Sequence, residues 1–328
     1  MNDVARLAGV SIKTVSRVVN DEPAVHPETA ARVLAAIEQL RFRRNAGASN
    51  LRRGSATGTL GLIVEDVGNP FFSGLTRAVE RVAVGFGKQV LTGSSDLDPD
   101  RERELALEFC ARRVDGMLVV PAGSRHAYLE PELRAGTPIV FADRPPGDLT
   151  ADTVLVDNAA GAAAAVAHLA AHGHRRIAFI GDSPEIYTAR ERLRGFREGC
   201  VSAGVGQDAR LIALREPSAR GVADTVHGML TGPDAATAVV AGNNRITVHL
   251  LRALAHSEHR PALVGFDDVE LADLLDPPVS VIAHDVGVLG RTAAELLFAR
   301  LQGDQSPPRK VVLPVHLVAR GSGEVAPA

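Results

Sequence analysis

The chain has 328 residues, 45% of them hydrophobic and 23% charged, with a formal net charge of −3. That length exceeds what one ordinary core fills and implies two or three domains. The balance of apolar and charged residues is that of a globular protein and excludes a disordered or fibrous one. Aromatics are only 4% and tryptophan is absent, so the cores must be built from Val, Leu, Ile and Ala. No apolar run reaches the roughly 18 residues of a membrane span, and the N-terminus lacks the basic-then-apolar layout of a secretory signal. Cys110 and Cys200 fall inside helical patterns, as small hydrophobes rather than a disulfide or a metal pair. The expectation is a cytoplasmic protein with no membrane partner and no cofactor. The charge is unevenly spread: residues 1–54 hold nine Lys/Arg against five Asp/Glu, net +4, and the remainder holds 27 against 34, net −7. A small basic unit joined to a large acidic one suggests that the first meets a polyanion.

Three short helical patterns open the chain. "NDVARLAG" stops at Gly9, "SIKTVSRVVN" runs from a Ser11 cap to Asn20, and "PETAARVLAAIEQLRF" begins with Pro27 in its first turn. The short joint at Gly9 predicts a helix-turn-helix. Helical spacing places Val15, Val18 and Val19 on one face, against Val4, Ala5, Val33, Leu34 and Ile37. Ile12, Lys13, Ser16 and Arg17 form the opposite, outward face. Lys13 and Arg17 suit guanine O6 and N7, Ile12 suits a thymine methyl, and Ser11, Thr14 and Ser16 suit phosphates.

These residues closely resemble the helix-turn-helix of the LacI/GalR family of bacterial repressors, the likeness being sharpest over 3–54 and patchier afterwards. The resemblance implies sequence-specific binding of a near-palindromic double-stranded operator by a homodimer. It adds Asn20 to the DNA-contacting set and makes 45–53 a hinge helix that enters the minor groove. Asn45, Ala48, Leu51 and Arg52 would touch DNA there, with Leu51 wedged between base steps; the alternative is that Leu51 packs on its own domain. Two features depart from the family pattern. No Thr or Ser precedes Asp3 to cap the first helix, which is expected to fray, and Arg44 stands where a Pro is common before the hinge. The domains implied are 1–54 for DNA and 57–328 for an effector and dimerisation.

From residue 57 apolar strands alternate with amphipathic helices, the layout of parallel sheets. The strands are "GTLGLIV", "QVLTGS", "GMLVVP", "PIVFAD" and "TVLV" in the first half, then "RIAFIG", "RLIALR", "AVVAG" and "ALVGF". Helices over 72–86, 100–113, 160–172, 188–203, 244–256 and 285–302 fill the intervals. The fold class is α/β: two lobes with parallel sheets, behind an all-α head. Ligands of such sheets bind beyond the strands' carboxyl ends. Asp143, Asp157, Asn243 and Asp267 sit at those ends and Thr188 and Arg192 at the start of a helix. The family resemblance implies a periplasmic-binding-protein-like domain whose small-molecule effector is a carbohydrate, with Phe71 and Phe72 against its ring and Arg192 on its hydroxyls. Asn244, Pro217 and His284 depart from residues common in the family.

Other signals are set aside. His168, His172 and His174 have no Cys or Glu beside them to complete a metal shell, and "DLDPDRERE" lacks the Gly and final Glu of a calcium loop. No phosphate-cradling glycine motif or nucleophile elbow occurs, so no catalysis is expected. A solute-binding protein for transport would also fit two lobes, but not the basic head. A regulator of a non-sugar effector is the other alternative.

Overall fold

The computed structural model describes residues 1–19, 22, 25–42, 57–215, 218–255 and 260–327. The chain divides into two compact units, Met1–Thr57 and Gly58–Ala328.

In the first unit α1 (Asn2–Ala8), α2 (Ile12–Val19) and α3 (Pro27–Gln39) enclose a small core. Gly9 ends α1 in the left-handed conformation, φ +65°, where a side chain would be strained. The Ser11 hydroxyl accepts the Thr14 N–H at 3.1 Å and so caps α2. No side chain caps α1. Val4, Ala5, Ala8, Val15, Val33 and Ala36 form the core, flanked by Val18, Val19 and Ile37. Leu34 was expected there and is instead 56% exposed. It follows Val33 by one residue, about 100° around the helix, and the inward stripe runs through Val33, Ala36 and Ile37 instead.

The second unit has two six-stranded sheets. The first contains β1 (Thr59–Val64), β2 (Gln89–Ser94), β3 (Gly116–Val119), β4 (Ile139–Ala142), β5 (Asp152–Val156) and β11 (Lys310–Leu313), in the order β11-β5-β4-β3-β1-β2, all parallel. The second contains β6 (Ile177–Gly181), β7 (Ile212–Leu214), β8 (Ala238–Ala241), β9 (Ala262–Phe266), β10 (Ser280–Ala283) and β12 (His316–Val318), in the order β12-β10-β9-β8-β6-β7. Among the described residues of this sheet, only β12 runs antiparallel to its neighbour. Helices α4 (Pro70–Gly85), α5 (Pro99–Ala111), α6 (Glu130–Arg134), α7 (Asn158–Ala171), α8 (Tyr187–Ser202), α9 (Ala219–Leu230), α10 (Asn244–Leu254) and α11 (Val286–Leu301) cover the faces. Sheets covered on both sides favour strands that are nearly all apolar, and β3, β4, β5, β6, β8 and β9 are buried along their whole length.

The lobes do not follow the halves of the chain. Leu289, Ala293 and Leu297 of α11 pack with Leu60, Leu62 and Phe72 in the first lobe, and β11 is that lobe's edge strand. The chain therefore crosses between lobes after β5, after β10 and after β11. Strands β10, β11 and β12 are additional to those read from the sequence. They are three or four residues long.

Two of the histidines set aside as ligands secure the C-terminal segment. His168 Nε2 lies 2.7 Å from Glu324 Oε1, and His174 sits between Thr237 Oγ1 and the Val325 carbonyl, each at 2.8 Å. In "DLDPD", Asp98 caps α5. Cys200 is buried and Cys110 half-buried, and burial pushes both thiols up to about 11. Among the described residues no helix is long and apolar enough to cross a membrane.

Candidate functional site

Two surfaces gather the polar residues singled out in the sequence, one in each unit. On α2, Ile12 is 51% exposed and Lys13 beside it is exposed, while Ser16 and Arg17 one turn later are half-buried. Arg17 Nε lies 3.9 Å from Glu22 Oε2. A pair this long and this exposed holds Arg17 only weakly, leaving its guanidinium available to a partner. The Ser11 and Thr14 hydroxyls are 2.9 Å apart and engage each other at the start of α2. An apolar side chain beside a lysine and an arginine, on the open face of a two-turn helix, is a surface that can enter a major groove. Asn20, Asn45, Ala48, Leu51 and Arg52 lie outside the described residues.

The second surface is the cleft between the lobes of the larger unit, at the carboxyl ends of both sheets. Glu65 follows β1, Asp143 and Arg144 follow β4, Asp182 follows β6, Asn243 lies just beyond β8, Asp267 follows β9 and His284 follows β10. Asp143 and Asp267 both have positive φ, 67° and 65°, at their strand ends. Such strain in a residue other than glycine is held only where the surroundings enforce it, and it clusters at functional sites.

Buried charge is arranged in two linked groups. Arg192 donates from Nε to Asn158 Oδ1 at 2.7 Å, and from Nη1 to the Gly242 carbonyl at 2.7 Å and Asp267 Oδ2 at 3.1 Å. Its guanidinium also lies 3.7 Å from the centre of the Phe266 ring. Arg144 donates from Nη2 to Glu65 Oε2 at 2.5 Å and from Nη1 to the Pro121 carbonyl at 3.0 Å. Burial raises the Asp143 and Asp182 carboxyls above their ordinary values, and burial lowers the His284 imidazole below 6.5.

Among the described residues, opposite lobes touch through two polar side-chain contacts. Asn244 Nδ2 donates to Asn69 Oδ1 at 2.7 Å, and Arg245 Nη1 lies 3.6 Å from Glu65 Oε1. The inner cleft they close has about 40 Å³ of free space, far below the several hundred of an ordinary small-molecule pocket. The inner cleft as it stands is too small for a sugar-sized ligand. A wider mouth, sharing Glu65, Asp182, Ile186 and Arg245, adjoins it.

Phe71, Phe72, Asp143, Thr188, Arg192, Asn243 and Asp267 all line this cleft. Phe72 also belongs to the first lobe's core, and Phe71 meets the His284 ring edge-on, centroids 5.6 Å apart. Asp157 is not among the residues that line the cleft. It is exposed and caps α7, accepting the Ala160 N–H at 3.0 Å; a carboxylate between a strand and a helix serves the helix first. Glu65, Asp182 and Arg245 line the cleft and were not singled out in the sequence. Glu65 and Asp182 carry the same signal as Asp143, a carboxylate at a strand end, whereas Arg245 is recognisable only once the lobes are docked.

Comparison with known proteins matches both units. The family described as bacterial regulatory proteins, lacI family, matches residues 1–45, and the periplasmic binding protein-like domain matches residues 166–323. The ribose operon repressor of Escherichia coli (strain K12) is 32% identical over 98% of this chain and 99% of its own length. A transcriptional regulator CelR–cellobiose complex is 30% identical, covers 98% of both chains and superposes with a TM-score of 0.72. The lac repressor dimer bound to operator and the anti-inducer ONPF is 26% identical over 98% of both chains, with a TM-score of 0.84.

Proposed function

The chain belongs to the lacI family of bacterial regulatory proteins, and we infer that it is an operator-binding transcriptional repressor governed by a sugar held between its lobes. The observation that carries this reading is one chain joining an exposed, basic α2 face to a cleft of buried Asp, Asn and Arg side chains. Carboxylate and amide groups can each bond adjacent hydroxyls, and the Phe71 edge offers apolar contact to a pyranose or furanose ring. The likeness to a ribose operon repressor and to a cellobiose complex supports a carbohydrate.

In this scheme the protein acts in the cytoplasm as a homodimer, so that two α2 helices meet successive major grooves of a near-palindromic site. Lys13, Arg17 and Ile12 read bases while Ser11, Thr14, Ser16 and Asn20 steady the backbone. Asn45, Ala48, Leu51 and Arg52 form the minor-groove contact. The sugar acts by favouring one lobe arrangement over another, and its leverage equals its differential affinity for the two. Nothing in this scheme requires a catalytic step.

The test is a melting-temperature screen of the full chain against a panel of neutral sugars, since a specific ligand stabilises the state it binds. The expected result is a rise with one of them and a change in operator affinity at the same concentration. A sugar that raises the melting temperature without changing operator affinity would sink the regulatory reading. Arg17→Ala and Lys13→Ala are each expected to cost about 1–3 kcal/mol in operator binding, read by fluorescence anisotropy. The sugar-induced melting shift should survive both. Equal loss of DNA and sugar binding would contradict this division of labour.

A further inference from the structure

We propose that the edge of the first sheet at which its strands begin is a second DNA-contacting surface, a row of cations that holds phosphates of the duplex bound by the head. The proposal rests on the operator-binding reading and adds to it a contact made by the larger unit itself.

All six strands of the first sheet are parallel, and each begins within one residue of its neighbour's register, so their first residues form one edge. The segments that lead into them, 57–59, 85–89, 111–116, 134–139, 150–152 and 301–310, hold six Lys/Arg against three Asp/Glu. The rest of residues 55–328 holds 21 against 31. The matching segments of the second lobe, 171–177, 202–212, 230–238, 254–262 and 274–280, hold four against four. The basic edge is thus peculiar to the first lobe. Its signs are also sorted by depth. Asp115 and Asp152 are only 6% and 3% exposed, and their oxygens are committed inside the lobe. Asp115 Oδ2 accepts the Gly58 N–H at 2.9 Å and pairs with Lys88. Asp152 accepts from Arg300 Nε and from the Arg309 N–H, each at 2.7 Å. The cations point outward instead. Arg112, Arg134 and Arg309 are 61%, 73% and 42% exposed, in surface pairs with Glu108, Glu130 and Asp304 that hold them weakly. Arg113 and Lys310 are exposed, and among the described residues neither has an ion-pair partner. Arg113 also stands in the left-handed conformation, φ +56°, just past the end of α5. A helix stop favours glycine there, so the stop does not account for the arginine.

The arrangement of the row indicates its partner. Adjacent strands lie about 4.8 Å apart, so an edge of six strands is roughly 24 Å long, with Lys310 of β11 at one side and Lys88, before β2, at the other. Phosphates recur about every 3.4 Å of axis along each strand of a duplex, and a line of exposed cations matches such a run. Holding a phosphate needs charge and reach rather than an enclosed pocket. The edge is also the one at which the chain arrives from the head, Gly58 being the first residue of the larger unit. An acidic protein segment is the other polyanion that could meet such a row, but the junction with the DNA-binding head favours DNA. Phosphate contacts carry no sequence information, so this surface adds affinity without altering which sequence α2 selects.

The experiment uses the full chain and two duplexes of about 40 base pairs, one of mixed sequence and one selected by the wild-type chain from a random pool. Binding is read by fluorescence anisotropy from about 50 to 200 mM KCl. The test variant is Arg113→Gly/Lys310→Ser. Arg197→Ser/Arg220→Ser, which removes two exposed cations from the second lobe, is the charge-matched control. The expected result is that the test variant binds both duplexes roughly tenfold more weakly, with the ratio between them as in wild type. Its slope of log affinity against log salt should be shallower by about two per protomer. Lys310→Ser alone, which leaves the turn after α5 untouched, should show about half that change. The control should keep the affinity and the slope of wild type. The test variant should melt no lower than wild type, because glycine relieves the left-handed turn, and this separates lost binding from lost folding. An unchanged affinity and slope in the test variant would overturn the proposal in favour of an acidic protein segment, and would leave the operator-binding reading standing. An equal loss in the control would make the effect one of net charge and would overturn the proposal too. If wild type bound neither duplex, the operator-binding reading would fall and this proposal with it.

Discussion

Replacing Gly195 with alanine will destabilise the second lobe by about 3 kcal/mol. Helices α7 and α8 are packed with their backbones in contact at this point. A Cβ on Gly195 would lie 2.6 Å from the Ala159 carbonyl carbon and Cα, and inside contact of the Ala159 oxygen. These are backbone atoms, so no rotamer change relieves the clash and the two helices must separate. Separation also draws Asn158, at the start of α7, away from the Arg192 Nε that it receives. For a unit of this size each kcal/mol corresponds to about 2–4 °C, so the melting point should fall by roughly 6–12 °C. Gly228→Ala is the matched control. It lies inside α9 with open space around the built Cβ, and there alanine should stabilise by about 0.5–1 kcal/mol through helix propensity alone. If the two substitutions moved the melting temperature equally, the close approach of α7 and α8 would not matter to stability.

The second large effect concerns Arg192→Met. Methionine approximates the aliphatic stem but removes the donors to Asn158, Gly242 and Asp267 and the stacking on Phe266. Breaking one side of a buried ion pair costs about 3–5 kcal/mol, mostly because the remaining charge is stranded. The expected result is therefore a fall in melting temperature together with loss of any sugar-induced shift. Adding Asp267→Asn removes the stranded charge and should recover part of the stability but none of the sugar response. Recovery of both by the double variant would mean that Asp267 does not touch the effector.

Much of this architecture can be read directly from local chemistry. Gly9, Ser11 and Pro27 punctuate the three helices of the first unit because a left-handed stop, a hydroxyl cap and a first-turn proline each have one physical use. The apolar strands are legible because sheets covered on both faces favour near-continuous apolar runs. Leu34 shows the limit of this reading: an apolar residue adjacent to a core stripe looks interior until the helix phase is known. Pro314 interrupts the stretch that holds β11 and β12, which hides both from a reading of apolar runs. The cleft was partly legible for a similar reason. The carboxyl ends of parallel strands converge, which draws Asp143, Asn243 and Asp267 together. That rule gives the right end of the sheet but not the right side, which is why Asp157 faces solvent. Contacts such as Asn69 with Asn244, 175 residues apart, depend on how two separately built lobes meet, and no local pattern announces them.

The three passages of the chain between the lobes bear on how the protein is made. The three-helix head precedes both lobes in the chain, and every one of its core side chains is present by Phe42. The first lobe, although begun at residue 58, lacks α11 and its edge strand until Leu313 has been synthesised. The second lobe waits a few residues more, for β12 and for Ser322, whose hydroxyl donates to the Leu263 carbonyl at 2.6 Å. The part that would grip DNA is thus complete while both halves of the sensor are still open. For the same reason, a single cut or a single recombination point anywhere between β1 and β11 cannot exchange one lobe whole. The two lobes are obliged to be inherited, and to fold, together.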